Sequence, residues 1–311
     1  MNSKMSRVLI SGGLGQIGYF LYHELKENYE IHMLDNGSEA KYEAPSDVIL
    51  YNGNIQDSSI YRSIPPVDII IHCAAQISIN KSVEDPIFDA EVNILGTLRL
   101  LEFARKNKVE KFIYLSSAAT IGHPVFLPIT EEHPRNPLSP YGLSKYFAEK
   151  YVQLYADLYD LNSVVIVPFN LYSTLQKEND PYAGVIYKFI TAVLQNKSPI
   201  IEGDGEQTRD FIHAKDVAKA IKLVLERDLE SQRIFNIGSG KGIAIKELAN
   251  LIIQISGKDL KPVHSEPRIG DIRESHCSLE KATTILGFTP SITIEKGLQE
   301  LYNHIKSDLL L

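Results

Sequence analysis

The sequence is poor in cysteine: only Cys73 and Cys277 occur among 311 residues, far apart and outside any Cys-x-x-Cys or Cys/His cluster. That excludes a disulfide framework and a zinc site of ordinary spacing, and the nine histidines are scattered, so no metal is expected. Positive charge is not in excess. With 32 Lys and Arg against 39 Asp and Glu, the net charge of -7 leaves no electrostatic footprint for nucleic acid or an anionic membrane. Apolar runs are strand-sized; the one over 67–75 is interrupted by Asp68 and His72, too short for a membrane span. A charged leader followed by an apolar stretch and a cleavage site is also missing, so a cytoplasmic location is expected. There is no repeat and no Gly, Pro or Ser tract. The 44% hydrophobic and 23% charged residues suit a folded enzyme with one large α/β unit and a smaller appended part.

What is present alternates. Short apolar runs at 7–11, 30–34, 48–51, 68–72, 111–116, 163–168 and 233–237 read as strands. Helical periodicity fills 16–27, 87–106 with its Val92, Leu95, Leu98 and Leu101 stripe, and 140–159. This order predicts right-handed βαβ units around a doubly wound parallel sheet of Rossmann type. From about Tyr172 the alternation breaks down into a loop at 177–181, a helix at 184–195 and a turn-rich segment at 201–209. Residues 1–171, completed by the strand near 233–237, are therefore read as the dinucleotide-binding domain, and 172–311 as mainly a substrate-binding lobe. That lobe is expected to be assembled from separated pieces, about 172–210 and 260–290.

The first strand runs into Ser11-Gly12-Gly13-Leu14-Gly15-Gln16-Ile17-Gly18, and a helix follows. Glycines there permit a tight turn, let the backbone approach a pyrophosphate and allow close helix-strand packing, while the helix N-terminus offers donors to the anion. Asp35 ends the second strand, where a carboxylate accepts from both adenosine ribose hydroxyls and repels a 2'-phosphate. NAD is accordingly favoured over NADP. Alone, the run Asp35-Asn36-Gly37 is also a strong turn signal.

Ser139-Pro140-Tyr141-Gly142-Leu143-Ser144-Lys145 opens a helix, so Tyr141 and Lys145 share one face four residues apart. A phenol with an ordinary pKa of about 10 is a poor base, but a neighbouring ammonium and a positive nicotinamide ring favour its ionised form. Lys145 is thus expected to tune Tyr141 and to anchor a ribose. The strand ending at Ser116-Ser117-Ala118-Ala119 places Ser117 at the carboxyl end of the sheet, suited to hydrogen-bond the reacting oxygen.

Together these residues resemble the extended short-chain dehydrogenase/reductase family, and within it the nucleotide-sugar epimerases of UDP-glucose 4-epimerase type. The resemblance covers nearly the whole chain. It extends through His72-Cys73-Ala74-Ala75-Gln76, Ser82 and Pro86, Asn93-Ile94-Leu95-Gly96-Thr97 and Pro168-Phe169-Asn170-Leu171-Tyr172. Further on it includes Gly203 to His213, Asn236 to Gly240 and Arg268-Ile269-Gly270-Asp271. It implies cofactor contacts from Gly12, Gly15, Gln16, Ile17, Gly18, Asp35, Asn36, Asn54, Ile55, Ala74, Ala75, Gln76, Asn93, Ser116, Tyr141, Lys145 and Pro168. Ser117, Tyr141, Asn170, Arg209, Arg268 and Ser275 would meet the substrate, with the two arginines clamping a diphosphate. Departures stand at Asn54, where relatives often carry Asp, at Thr120-Ile121 in place of Val-Tyr, at Val167 in place of Arg, and at Ser173-Thr174 in place of Gly-Pro.

The implied reaction has Tyr141 take the proton from sugar O4 while C4 gives hydride to tightly held NAD, and the resulting 4-keto sugar turns before hydride returns to its other face. Dehydratase relatives carry Asp-Glu where this chain has Ala118-Ala119, which disfavours elimination of water; a decarboxylase, which typically has Glu there, is disfavoured less. A 2-epimerase or a simple reductase stays open. A small residue at Ser275 resembles enzymes that accept N-acetylated sugars. Interconversion of UDP-glucose and UDP-galactose, with UDP-GlcNAc and UDP-GalNAc admitted, is the expected activity. A non-catalytic NAD-sensing protein is the reading from a different class, and the retained Ser, Tyr and Lys weigh against it. The helices at 87–106 and 140–159 resemble the pair that forms a two-fold four-helix interface, implying a homodimer.

Overall fold

The computed structural model describes residues 5–176, 184–229, 233–268 and 270–308, so the loop expected at 177–181 lies outside the described residues. The strands in chain order are β1 (Arg7–Ser11), β2 (Glu30–Asp35), β3 (Ile49–Asn52), β4 (Ile69–His72), β5 (Lys111–Leu115), β6 (Ser163–Pro168) and β7 (Asn170–Tyr172). They continue with β8 (Ile200–Glu202), β9 (Thr208–Arg209), β10 (Phe211–His213), β11 (Ile234–Ile237), β12 (Ile243–Ala244) and β13 (Val263–Ser265). The α-helices are α1 (Gln16–Leu25), α2 (Ile79–Glu84), α3 (Pro86–Ala90), α4 (Thr97–Lys106), α5 (Pro140–Tyr159), α6 (Val185–Leu194), α7 (Ala214–Leu225), α8 (Ile245–Ser256) and α9 (Ile294–Asp308).

Seven strands form the parallel sheet in the order β11-β6-β5-β4-β1-β2-β3, a doubly wound sheet as expected from the sequence. Burial explains it. β4 and β6 are buried at every position, as strands covered on both faces by helices must be. Alternate side chains feed two cores: Val8, Ile10, Ile71 and Ile166 pack with α1 and α7, while Leu9, Ile70, Phe112 and Val165 pack with α4 and α5. The register pairs Ser11 with both Leu34 and His72, so these strands end together and open a crevice at their carboxyl ends.

The helix expected over 87–106 is interrupted. A π-type turn at Glu91–Gly96 separates α3 from α4. The Thr97 hydroxyl donates to the Asn93 carbonyl at 2.6 Å, and Gly96 sits where a Cβ would come within 2.6 Å of Ile55 Cδ1. Helical periodicity is insensitive to one widened turn, and such turns gather at functional sites.

The smaller lobe also differs in its pieces. Its core joins Tyr172, Phe189 and Ile190 with Leu248 and Ile252 of α8 and Leu298 and Leu301 of α9. Ala282, Leu286 and Phe288, in the span expected within this lobe, pack against the main sheet with α7 instead. Both α8 and α9 lie outside the two pieces expected for this lobe, although they supply much of its core.

His213 carries a pH dependence. Its Nδ1 caps α7 by accepting from Lys215 N at 3.1 Å, which only the neutral ring can do. Burial pushes its pKa down to about 4. The unfolded chain therefore binds this proton first, and stability falls as pH drops from about 6.5 towards 4. Burial pushes His72 down as well, to about 3, adding loss in the same direction. Urea midpoints at pH 7 and 5 should separate less in His213→Asn, whose amide still caps the helix; an unchanged difference would assign the acid sensitivity elsewhere.

Candidate active site

The crevice continues between the sheet and the smaller lobe as a cavity of about 1770 Å³. This exceeds the roughly 300–1,000 Å³ of a single small-ligand pocket, leaving room for two extended ligands. Of the site residues read from the sequence, all but Gly18 and Asn93 line it. These two act from behind. A Cβ on Gly18 would lie 2.1 Å from Gly13 O, so this glycine lets α1 close onto the turn. Asn93 Oδ1 accepts from Gln76 N at 2.9 Å, and its amide donates to Gln76 O, Asp89 and Ser144, which spends the side chain inside the protein. Asn93 thus holds the segment after β4 in place.

The Gly-rich turn fits a dinucleotide. Gly12 has φ +69, and a Cβ on it would meet Ala74 N at 2.6 Å. Gly15 caps α1 without a side-chain acceptor, leaving its first N–H groups for an anion. Asp35 is fixed beside the turn, accepting from Leu14 N at 3.0 Å and Gly37 N at 2.8 Å. Asn36 donates to Asn54 Oδ1 at 2.7 Å, so the two asparagines form one wall.

The chemistry-bearing groups converge where β5 meets α5. Ser139 caps α5 by accepting from Gly142 N at 3.1 Å, and Gly142 admits Ala119 O, which a Cβ would approach to 2.5 Å. That contact seats the start of α5, with Tyr141, against the Ser117–Ala119 segment. Burial raises the Tyr141 pKa, and a hydrogen bond with Ser117 offsets part of the rise. Lys145 is buried, donates to Leu115 O at 2.6 Å and lies 4.4 Å over the Tyr114 ring. Burial pushes its pKa down to about 7, while Cys73, Asp89 and Glu149 draw it back up. Within the chain, then, burial favours the neutral form of both groups, and a negative charge on Tyr141 needs further positive charge brought in.

Asp89, Glu149 and Arg135 are the residues sequence reasoning missed. Glu149 stands one helical turn beyond Lys145 and accepts from Ser116 Oγ at 3.0 Å. Its other oxygen faces Arg135 at 3.7 Å. The spacing Tyr141, Lys145, Glu149 was visible, since all three share a helix face; Arg135 lies in a loop with no periodic signal.

Arg209, also in the cavity lining, is held by Asp271 at 2.5 Å and by the carbonyls of Thr208 and Ile272. Arg268 is exposed and lines the same cavity, and Ser275 is buried with its N–H on Thr208 Oγ1 at 3.3 Å. Asn170 donates through both its backbone and side-chain nitrogens to Asp210 O. Two departures gain an account: Ile121 packs with Ile129, Phe169 and Cys277, and Val167 packs in the core shared with α5, so both positions serve packing.

A doubly wound sheet, a dinucleotide turn and one cavity lined by Ser117, Tyr141, Lys145 and two arginines define a dinucleotide-dependent enzyme of short-chain dehydrogenase/reductase type. The family model for the NAD dependent epimerase/dehydratase family matches residues 8–238, and the chain belongs to that family. It is 38% identical to a putative UDP-glucose 4-epimerase of Methanocaldococcus jannaschii, over 97% of this chain and 99% of that one. Among solved structures it is similar to UDP-glucose 4-epimerase of Thermotoga maritima with UDP-glucose, with TM-score 0.92 and 34% identity over 97% and 99% of the two chains. It is also similar to the UDP-N-acetylglucosamine 4-epimerase of Methanobrevibacter ruminantium in complex with UDP-N-acetylmuramic acid, with TM-score 0.92 and 31% identity over 98% and 100%. The chain is a UDP-glucose 4-epimerase-like, NAD-dependent enzyme.

Proposed function

We propose that this enzyme interconverts UDP-glucose and UDP-galactose through a 4-keto sugar and admits the N-acetylated pair. The observation that carries this reading is the wall beside Tyr141: Ala118 and Ala119 line the cavity where an elimination would need an acid and a base. Bound NAD supplies the hydride acceptor and donor and, when oxidised, a positively charged ring. Tyr141 removes the proton from the O4 hydroxyl as C4 becomes a ketone, and returns it when the ketone is reduced from its other face. Ser117 hydrogen-bonds the same oxygen. Lys145, one helical turn further along α5, in its ammonium form favours the ionised phenol. Arg209 and Arg268 grip the diphosphate, so binding energy is concentrated away from the sugar and leaves it free to turn.

The small Ser275 supports acceptance of an N-acetyl group, and Ser275→Tyr should reduce turnover of UDP-N-acetylglucosamine at least about tenfold while sparing UDP-glucose, as loss of fit in one pocket does. The deciding experiment incubates the protein with UDP-glucose and UDP-N-acetylglucosamine separately, without added cofactor, and looks for the C4 epimers by NMR. Product from neither removes the proposal. We propose too that the enzyme is a homodimer, supported by exposed Ile87, Leu95, Phe147, Leu154 and Leu158 along the two helices expected at an interface.

A further inference from the structure

Ser173 lies just after β7, the strand that begins with the cavity residue Asn170. It is fully buried, and its hydroxyl reaches across to the first residue of α1, donating to Gln16 Oε1 at 2.8 Å. The same oxygen accepts from Leu175 N at 3.2 Å. A hydroxyl has one proton. That proton goes to Gln16, and the backbone N–H of Leu175 takes a lone pair, so the direction of both bonds is set.

This arrangement orients the amide. With Oε1 engaged by Ser173, Gln16 has its two Nε2 hydrogens left, and the nitrogen has no partner among the described residues while the side chain lines the cavity beside Gly15. The N-terminus of α1 is where the pyrophosphate of a dinucleotide is expected. We infer that Ser173 is a positioning residue for cofactor binding: it holds the Gln16 amide with its N–H groups facing the pyrophosphate, and so ties the substrate-side strand to the dinucleotide turn. Without that hydroxyl, Oε1 is released and an acceptor turns as readily as a donor towards the anion.

The support for the hydroxyl is rigid. β7 pairs in parallel with β10, and Tyr172 meets the His213 ring edge-on at 5.3 Å. On the other side, Gly297 of α9 leaves space for the Tyr172 hydroxyl, which a Cβ there would approach to 2.1 Å. Ser173 therefore follows a strand that is locked on both sides, and its hydroxyl needs little reordering to hold Gln16.

The inference rests on the dinucleotide site and not on the choice of sugar. Its test is a double-mutant cycle with Ser173→Ala, Gln16→Leu and the pair, measured as NAD affinity by calorimetry after removal of copurified nucleotide. Each single change should weaken NAD binding about tenfold, the size of one hydrogen bond to a charged group. The pair should be no weaker than Gln16→Leu alone. UDP binding, read in the same instrument, should stay within about twofold for Ser173→Ala, which separates orientation of Gln16 from collapse of the lobe. Unchanged NAD affinity in Ser173→Ala, fully additive losses in the cycle, or parallel loss of UDP binding would each overturn the inference. Failure of the parent protein to bind NAD at all would instead overturn the dinucleotide site itself.

Discussion

Tyr141→Phe is expected to lower turnover by about 10²–10⁴, the range for loss of a positioned general acid-base group, while changing the KM for the nucleotide sugar little. The change removes one oxygen from a side chain that is only 9% exposed, so the ring still fills its place against α5 and the Ser117–Ala119 segment. In the proposed reading the diphosphate is gripped by Arg209 and Arg268, other residues of the same cavity. What disappears is the hydroxyl proposed to carry the proton of the reacting oxygen. Steady-state rates of C4 epimer formation in the variant and in Ser117→Ala distinguish the two hydroxyls. If Tyr141→Phe keeps a third or more of the activity and Ser117→Ala loses it, the proton carrier is Ser117 and the assignment made here is wrong.

Legibility followed locality. The strands and α5 were readable because each is specified by its own residues: β6 is an unbroken apolar run, and α5 is bounded by Ser139 and Pro140 at one end and by Asp160 at φ +54 at the other. The dinucleotide turn was readable because Gly12, Gly15 and Gly18 sit within a few residues of one another. What escaped depends on partners distant in sequence. The widened turn at Glu91–Gly96 follows from contacts of Asn93 with Gln76 and of Gly96 with Ile55. Assignment of 282–288 to the main core depends on α7. Asp210 illustrates the same limit within a readable motif. It falls within the Gly203 to His213 stretch without being singled out there, yet its carboxylate is fully buried and takes the N–H groups of Ser239, Gly240 and Cys277.

Arg135→Leu should cost about 3–5 kcal/mol of stability, because it leaves a buried charge without its counter-charge. Glu149 is 1% exposed, and besides Arg135 its carboxylate has the Ser116 hydroxyl at 3.0 Å. Arg135 also donates to Thr120 Oγ1 at 2.9 Å, so the substitution strips a partner from the short turn after Ser117. An exposed pair sets the scale: Arg233→Leu, which removes the partner of the surface residue Asp157, should cost only about 0–1 kcal/mol. Arg135→Leu combined with Glu149→Gln should recover much of the loss, since a neutral amide still accepts from Ser116 and no longer needs a cation. The recovered protein should nevertheless lose activity on the alkaline side. Glu149 is one of the groups that draw the Lys145 pKa up, and without its charge the ammonium is given up at lower pH. Urea unfolding of the four variants and a pH profile of turnover for the double variant check both halves. Equal stability loss in Arg135→Leu and Arg233→Leu would show that Glu149 is solvated, and an unshifted alkaline limb would separate it from Lys145.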